Sequence, residues 1–122
     1  MVDLRTDLGR GLVLANPVMP ASGTFAEGLA KVVDLNTIGA LVTKTITAEL
    51  RGGNQVPRVS EVGNGMLNSI GIPSKGIDQF ISEALPFYRQ FASPLIVSIS
   101  APTVDDFARA TERLNIEGVA GI

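Results

Sequence analysis

Two nearly unbroken apolar runs constrain this chain more than any other feature. Residues Ile38 to Ile46 read I-G-A-L-V-T-K-T-I, and Pro94 to Ser100 read P-L-I-V-S-I-S. The first shows almost none of the apolar–polar alternation of a strand with one wet face, and the second is apolar through Val97. Each is therefore expected to be a strand buried on both faces, which points to a parallel sheet. Parallel neighbours need crossover segments, and Gly76 to Phe91 supplies one through the helical spacing of Ile77, Phe80, Ile81, Leu85 and Tyr88, with Pro86 as a kink or local irregularity.

The remaining chain extends the same alternation. Asp3 to Leu8 and Leu12 to Ala15 flank Gly9-Arg10-Gly11, as the arms of a hairpin would. Pro17 to Thr24 is a brief apolar run broken by two prolines, expected to be a strand end that opens into a loop of small residues. Phe25 to Leu35 carries Phe25, Leu29, Val32, Val33 and Leu35 mostly on one helical stripe, ending before Gly39. Thr103 precedes Asp105 and Asp106 and should cap a helix running to about Asn115, with Phe107, Ala108, Ala110, Thr111 and Leu114 forming its packing face. Gly118 to Ile122 starts another apolar strand. Strand, helix, strand, helix, strand, helix, strand is satisfied by a doubly wound sheet and by a (β/α)8 barrel alike. A barrel takes ~250 residues, about twice this chain's 122. That mismatch, with a last strand lacking a polar cap, leads to the expectation that residues 1–122 are the amino-terminal part of one domain truncated within its fourth strand.

Composition narrows the chemistry. Ten basic and twelve acidic residues give a net charge of −2 with no long run of either sign, so a nucleic-acid or anionic-membrane partner is not expected. Cys and His are both missing, which removes thiolate and imidazole metal sites and every Cys–His or Ser–His nucleophile. No apolar run approaches the ~20 residues of a membrane span or has the pattern of a signal peptide, so a cytoplasmic location is expected.

In parallel α/β folds the loops after the carboxyl ends of strands build the site. That singles out Ser22 to Thr24, Thr43 to Thr47 and Ser98 to Pro102. Lys44 sits inside an apolar strand: its ammonium either meets an anion or electron-rich ligand, or the stem packs while the head reaches water. Asn68, in G-M-L-N-S-I-G, offers an amide with donors and acceptors suited to a planar polar ring, or belongs to an Asn/Gly turn of a hairpin around Gly63-Asn64-Gly65. The run from Gly63 has Asn68 at the sixth position, where a dinucleotide fingerprint has its third glycine. Arg51 and Arg58 lie in a long polar loop and either bind an anion or solvate the surface. Met19 and Met66 read as core fillers.

Four ordered stretches carry a family resemblance: Asn16-Pro17-Val18-Met19-Pro20-Ala21-Ser22-Gly23-Thr24, Val42-Thr43-Lys44-Thr45-Ile46-Thr47, Gly53-Asn54-Gln55-Val56-Pro57-Arg58 and Gly65-Met66-Leu67-Asn68-Ser69-Ile70-Gly71. Together they resemble the amino-terminal part of class 1 dihydroorotate dehydrogenase, and G-M-L-N-S-I-G resembles the branch that works with a separate electron-transfer subunit to reduce NAD. The resemblance implies the first three to four βα units of a (β/α)8 barrel, preceded by a β-hairpin. It implies FMN as cofactor and oxidation of (S)-dihydroorotate to orotate in pyrimidine (UMP) biosynthesis. Ala21, Ser22, Gly23, Lys44, Thr45 and Ser98 would bind FMN; Lys44, Asn68, Ser69, Ile70, Gly71 and Ile72 would hold the substrate. It further implies a homodimer, an iron-sulfur/FAD electron-transfer subunit as partner, and a catalytic base beyond Ile122, so that residues 1–122 alone would be inactive. Two positions depart from the family's habit: Ser98 stands where Asn is frequent, and Pro73-Ser74-Lys75-Gly76 stands where an N-P-G-like sequence is usual. The competing readings are a stand-alone α/β binding or assembly module and a related flavin-dependent pyrimidine oxidoreductase.

Overall fold

The computed structural model of the chain describes residues 2–23, 25 and 27–122. A short antiparallel pair opens it, β1 (Thr6–Asp7) against β2 (Val13–Leu14), with Thr6 opposite Leu14. Asp7 Oδ1 accepts from the Gly9 amide at 2.7 Å, and Leu8 N and Leu12 O close the turn at 2.9 Å. Leu14 is fully buried, and Leu12 reaches toward Gly121 at the far edge of the main sheet.

That sheet is parallel, as the two apolar runs require. β3 (Leu41–Val42) pairs with β6 (Leu95–Ile96), Leu41 opposite Leu95, and the pairing continues as a bridge between Ile46 and Ile99. Ile96 is bridged in parallel by Gly121 on its other side. On the outer side of β3, Gly39 N donates to Val18 O at 2.7 Å. Gly39 is obligatory there because a Cβ would lie 1.8 Å from Asn16 O. The spatial order thus follows chain order, from Val18 through β3 and β6 to Gly121. A doubly wound sheet of the dinucleotide-binding type would carry its fourth strand on the opposite side of the first. The helices agree, since Asp78 of α1 (Ile77–Gln79) forms an ion pair with Arg113 of α3 (Val104–Leu114), which puts successive crossovers side by side. One-directional winding is what a barrel uses.

The core lies between this sheet and its helices: Leu35, Leu41, Ile46, Leu95 and Val97 pack with Phe25, Ile77, Phe80, Leu85, Tyr88, Ala110 and Leu114. The crossover after the loop is irregular as Pro86 demands. A π-helical turn (Phe80–Ala84), closed by Leu85 N donating to Phe80 O, joins α1 to α2 (Leu85–Tyr88). Thr103 caps α3 as expected, its Oγ1 accepting from Asp106 N at 3.2 Å.

Several expectations are corrected. The helix over Phe25–Leu35 is replaced by two 3-10 turns, Glu27–Lys31 and Leu35–Thr37. Asp34 restarts the chain by accepting from Asn36 N at 3.0 Å, and Val32 and Val33 stay exposed. Ala26 of that stretch, like Thr24 of the preceding loop, lies outside the described residues. Residues 17–21 form no strand, because Pro17 and Pro20 have no N–H to give a ladder. On α3 only Ala110 and Leu114 are buried, while Phe107, Ala108 and Thr111 are exposed. Met19 and Met66 are exposed as well, Met66 because it sits on a hairpin that leaves the core.

Candidate functional site

The carboxyl ends of β3 and β6 are held by their own backbone. Ile46 N donates to Ser98 O at 2.8 Å and Ser100 N to Ile46 O at 2.9 Å. Between these bonds the side chains form a polar cluster on apolar support: the hydroxyls of Thr45 and Ser98 lie 3.0 Å apart, and buried Thr43 Oγ1 accepts from Ser98 N at 3.1 Å. Lys44 is exposed, so its ammonium reaches water rather than the interior, and the ion pairs among the described residues leave it free of a carboxylate partner. A cation and two hydroxyls at one sheet end form a donor-rich surface suited to a planar group that carries carbonyls or developing negative charge.

A cavity of about 670 Å³ opens beside this cluster. Thr43, Lys44, Thr45 and Ile46 line its strand side, Arg51, Pro73, Ser74 and Lys75 its loop side, and Phe80, Phe87 and Tyr88 its helix side. Tyr88 packs against Phe25 and Phe87 with ring centroids 6.0 and 5.4 Å away. Its hydroxyl donates to Glu27 at 3.3 Å. Burial first, and then the Glu27 carboxylate, hold this phenol protonated far above its usual range.

The long loop after β3 is a hairpin with a folded base. β4 (Val59–Val62) and β5 (Gly65–Asn68) pair antiparallel around the two-residue turn Gly63-Asn64, and all eight strand residues are exposed. Asn68 is therefore the last strand residue, opposite Val59, rather than part of the turn itself. The next residues bend back sharply: Ser69 N donates to Arg58 O at 2.8 Å, and Asn54 N donates to Ile70 O at 3.1 Å. Gly71 has φ 79°, and a Cβ there would meet Asn54 at 2.6 Å. Ile72 shares this left-handed backbone at φ 49°, a strained choice for a β-branched residue. Arg58 is spent on the loop itself, its Nε on Asn54 O at 2.6 Å and its Nη2 on Gly52 O at 2.8 Å.

The residues singled out from sequence are thus brought together in part. Lys44 and Thr45 share the cavity wall, and Thr45 joins Ser98 by a hydroxyl contact. Asn68 to Ile72 lie on the return arm of the hairpin, outside the cavity lining, and Ala21 to Gly23 form a turn outside it too. Thr43 lies in the strand end singled out from sequence, whereas sequence reading gave no role to Asn54 and Ser74, which make contacts that position their neighbours. The signal of these two was weak: single small polar residues in a loop.

The sequence model of the family described as dihydroorotate dehydrogenase matches residues 5–122. The chain belongs to that family. Among curated relatives, "Dihydroorotate dehydrogenase B (NAD(+)), catalytic subunit" of Thermoanaerobacter sp. (strain X514) is 45% identical over 123 residues, covering 99% of this chain and 40% of the relative. The protein of the same name from Listeria innocua is 43% identical over 106 residues, covering 85% of this chain and 35% of the relative. The chain therefore spans about 40% or less of the length of these dihydroorotate dehydrogenases. A crystal structure of the Eimeria tenella enzyme, "DHODH in complex with ferulenol", superposes with a TM-score of 0.68 at 23% identity, over 92% of this chain and 33% of that one. This likeness supports the fold alone. No helix among the described residues is long and apolar enough to cross a membrane.

Proposed function

We propose that this chain is the amino-terminal portion of a class 1 dihydroorotate dehydrogenase, comprising a β-hairpin and the first three to four βα units of its (β/α)8 barrel. The full-length enzyme oxidises (S)-dihydroorotate to orotate in pyrimidine biosynthesis, in the cytoplasm. The observation that carries the reading is the Thr45–Ser98 hydroxyl pair at the carboxyl ends of two adjacent parallel strands, with Lys44 beside Thr45 on the cavity wall, where enzymes of this architecture build their sites. The relatives' name, a catalytic subunit of an NAD-linked enzyme, supports a separate electron-transfer subunit; iron-sulfur and FAD groups on that subunit and a homodimer of the catalytic chain are part of the same proposal.

The donor set fits a flavin. Thr45 and Ser98 offer two hydroxyls 3.0 Å apart, and Lys44 offers a cation that no described carboxylate neutralises. Ala21 and Gly23 are exposed and Ser22 is half-buried, and all three are small enough for close approach of a ring. FMN, when bound, would supply the two-electron acceptor for the substrate hydride. Lys44 favours negative charge accumulating on its neighbours, and Thr45 and Ser98 orient polar edges of the ring they face. Asn68, with the backbone of Ser69, Ile70, Gly71 and Ile72, holds the pyrimidine and its carboxylate, Lys44 closing the other side. The catalytic base belongs to the rest of the full-length protein, so residues 1–122 alone are inactive.

The test is to purify the full-length protein, identify its released flavin, and assay dihydroorotate oxidation with orotate and uracil as competing ligands. FMN content, turnover and competition by orotate support the reading. A flavin-free protein without turnover overturns it, and preferential competition by uracil redirects it to a related pyrimidine oxidoreductase.

A further inference from the structure

We infer that Ser74 is a positioning residue: its hydroxyl clasps the proposed substrate loop to the strand that carries Lys44. The inference rests on the functional reading above for its kinetic consequence, but its geometry stands independently.

Ser74 makes four hydrogen bonds with three partners. Its backbone exchanges both bonds with Arg51, each at 2.8 Å, which closes the loop 51–74 at its base. Its Oγ accepts from Thr47 N at 3.0 Å and from Gly76 N at 3.2 Å. Thr47 continues the strand end that holds Lys44, and Gly76 precedes α1, whose first residue Ile77 donates from its amide to Ala48 O at 3.2 Å. A single oxygen therefore joins the strand end, the loop and the helix start. The backbone of the same residue, through the two Arg51 bonds, fixes where the hairpin leaves the core.

The hairpin has few other anchors. Every residue from Val59 to Ile70 is exposed, so apolar packing contributes little to its orientation. Arg58 and Asn54 bind within the loop and brace it internally without tying it to the sheet. Asn68 to Ile72 end two residues before Ser74, so a change in the clasp moves these five residues relative to Lys44 while leaving the strand-end cluster in place. The expected signature is weaker substrate binding with little change in the chemical step.

The experiment uses the full-length protein in three forms: unaltered, Ser74→Ala and Ser74→Thr. Two quantities are read, amide hydrogen exchange at Thr47 and Gly76, and the steady-state constants for dihydroorotate. Ser74→Ala is expected to speed exchange at both amides and to raise KM about tenfold with kcat within about twofold, at unchanged FMN content. Ser74→Thr retains the oxygen and restores both readouts. Unchanged exchange at Thr47 and Gly76 in Ser74→Ala overturns the clasp. Faster exchange with unchanged KM, or a fall in kcat at constant KM, overturns its positioning role. If the unaltered protein shows no dihydroorotate oxidation, the functional reading fails, and the exchange data still decide the clasp.

Discussion

The base of the parallel sheet and the hairpin that rises from it hold their shapes by opposite means. At the base, Ala40 and Leu41 are fully buried, and Thr43, Ile46, Leu95 and Val97 nearly so, so the strand ends are fixed by packing as well as by hydrogen bonds. The hairpin exposes both of its faces, and its return bend is held by polar contacts from Asn54, Arg58 and Ser74. Lys44, Thr45 and Ser98 belong to the first region and Asn68 to Ile72 to the second. A site assembled across them has one wall set by the core and another set by a few hydrogen bonds, which suits a rigid cofactor on one side and an exchanging substrate on the other.

The sharpest way to break this contrast is to remove volume from each region. Leu41→Ala should cost about 4 kcal/mol of stability in the full-length protein, through lost burial and the cavity left behind, whereas Leu67→Ala on the exposed hairpin should cost under ~0.5 kcal/mol. Equal losses in denaturant unfolding would show that the hairpin is packed in the full-length protein and that the contrast is false.

On the proposed function, Lys44 is where activity and stability come apart within the base itself. Lys44→Ala should lower turnover roughly 100-fold, the scale of losing one charge-stabilising group, while the unfolding midpoint stays put because the side chain is exposed and without an ion pair among the described residues. A turnover within twofold of the unaltered enzyme would remove Lys44 from the site. Arg58→Leu probes the other region. Losing its two carbonyl contacts should loosen the loop by about 1 kcal/mol, read as roughly fivefold faster proteolysis between residues 51 and 74, with global unfolding nearly unchanged.

What the sequence disclosed follows the same division. The buried strands were legible because an apolar run such as Ile38 to Ile46 has one economical solution, and the Thr103 cap because its partner is local. The hairpin turn at Gly63-Asn64 was legible for the same local reason. The segment Phe25 to Leu35 misled because its apolar stripe is real while its ends are not: Asp34 captures the Asn36 amide and starts a new turn. The exposed face of α3 misled because periodicity reports which side is apolar, not whether another element lies against it. At the site, Lys44 announced itself as a charge in an apolar strand. Ser74 and Asn54 did not, since their work depends on amides brought close only by the folded loop. The family motifs named Asn68 to Ile72, but the strained backbone at Ile72 is a fact of three-dimensional closure.

The smallest expected effect belongs to α3, and it tests whether the base answers to pH. The Asp106 carboxyl is held below its ordinary value chiefly by the Thr103 hydroxyl, which donates to Oδ2 at 2.6 Å, with Arg109 adding to the effect. A carboxyl depressed on folding supports the folded helix start above the ordinary carboxylate pKa near ~3.9 and loses that support as pH falls through the depressed value. Acid should therefore fray the first turn of α3 only below about pH 4. Thr103→Val keeps the shape and removes the hydroxyl, so the Asp106 midpoint followed by NMR should rise toward the ordinary 3.8 and the acid-dependent part of the fraying should shrink. An unmoved midpoint would mean that Arg109 alone sets it. Fraying that spreads to the hairpin would mean that the two regions share more than the bonds of Ser74.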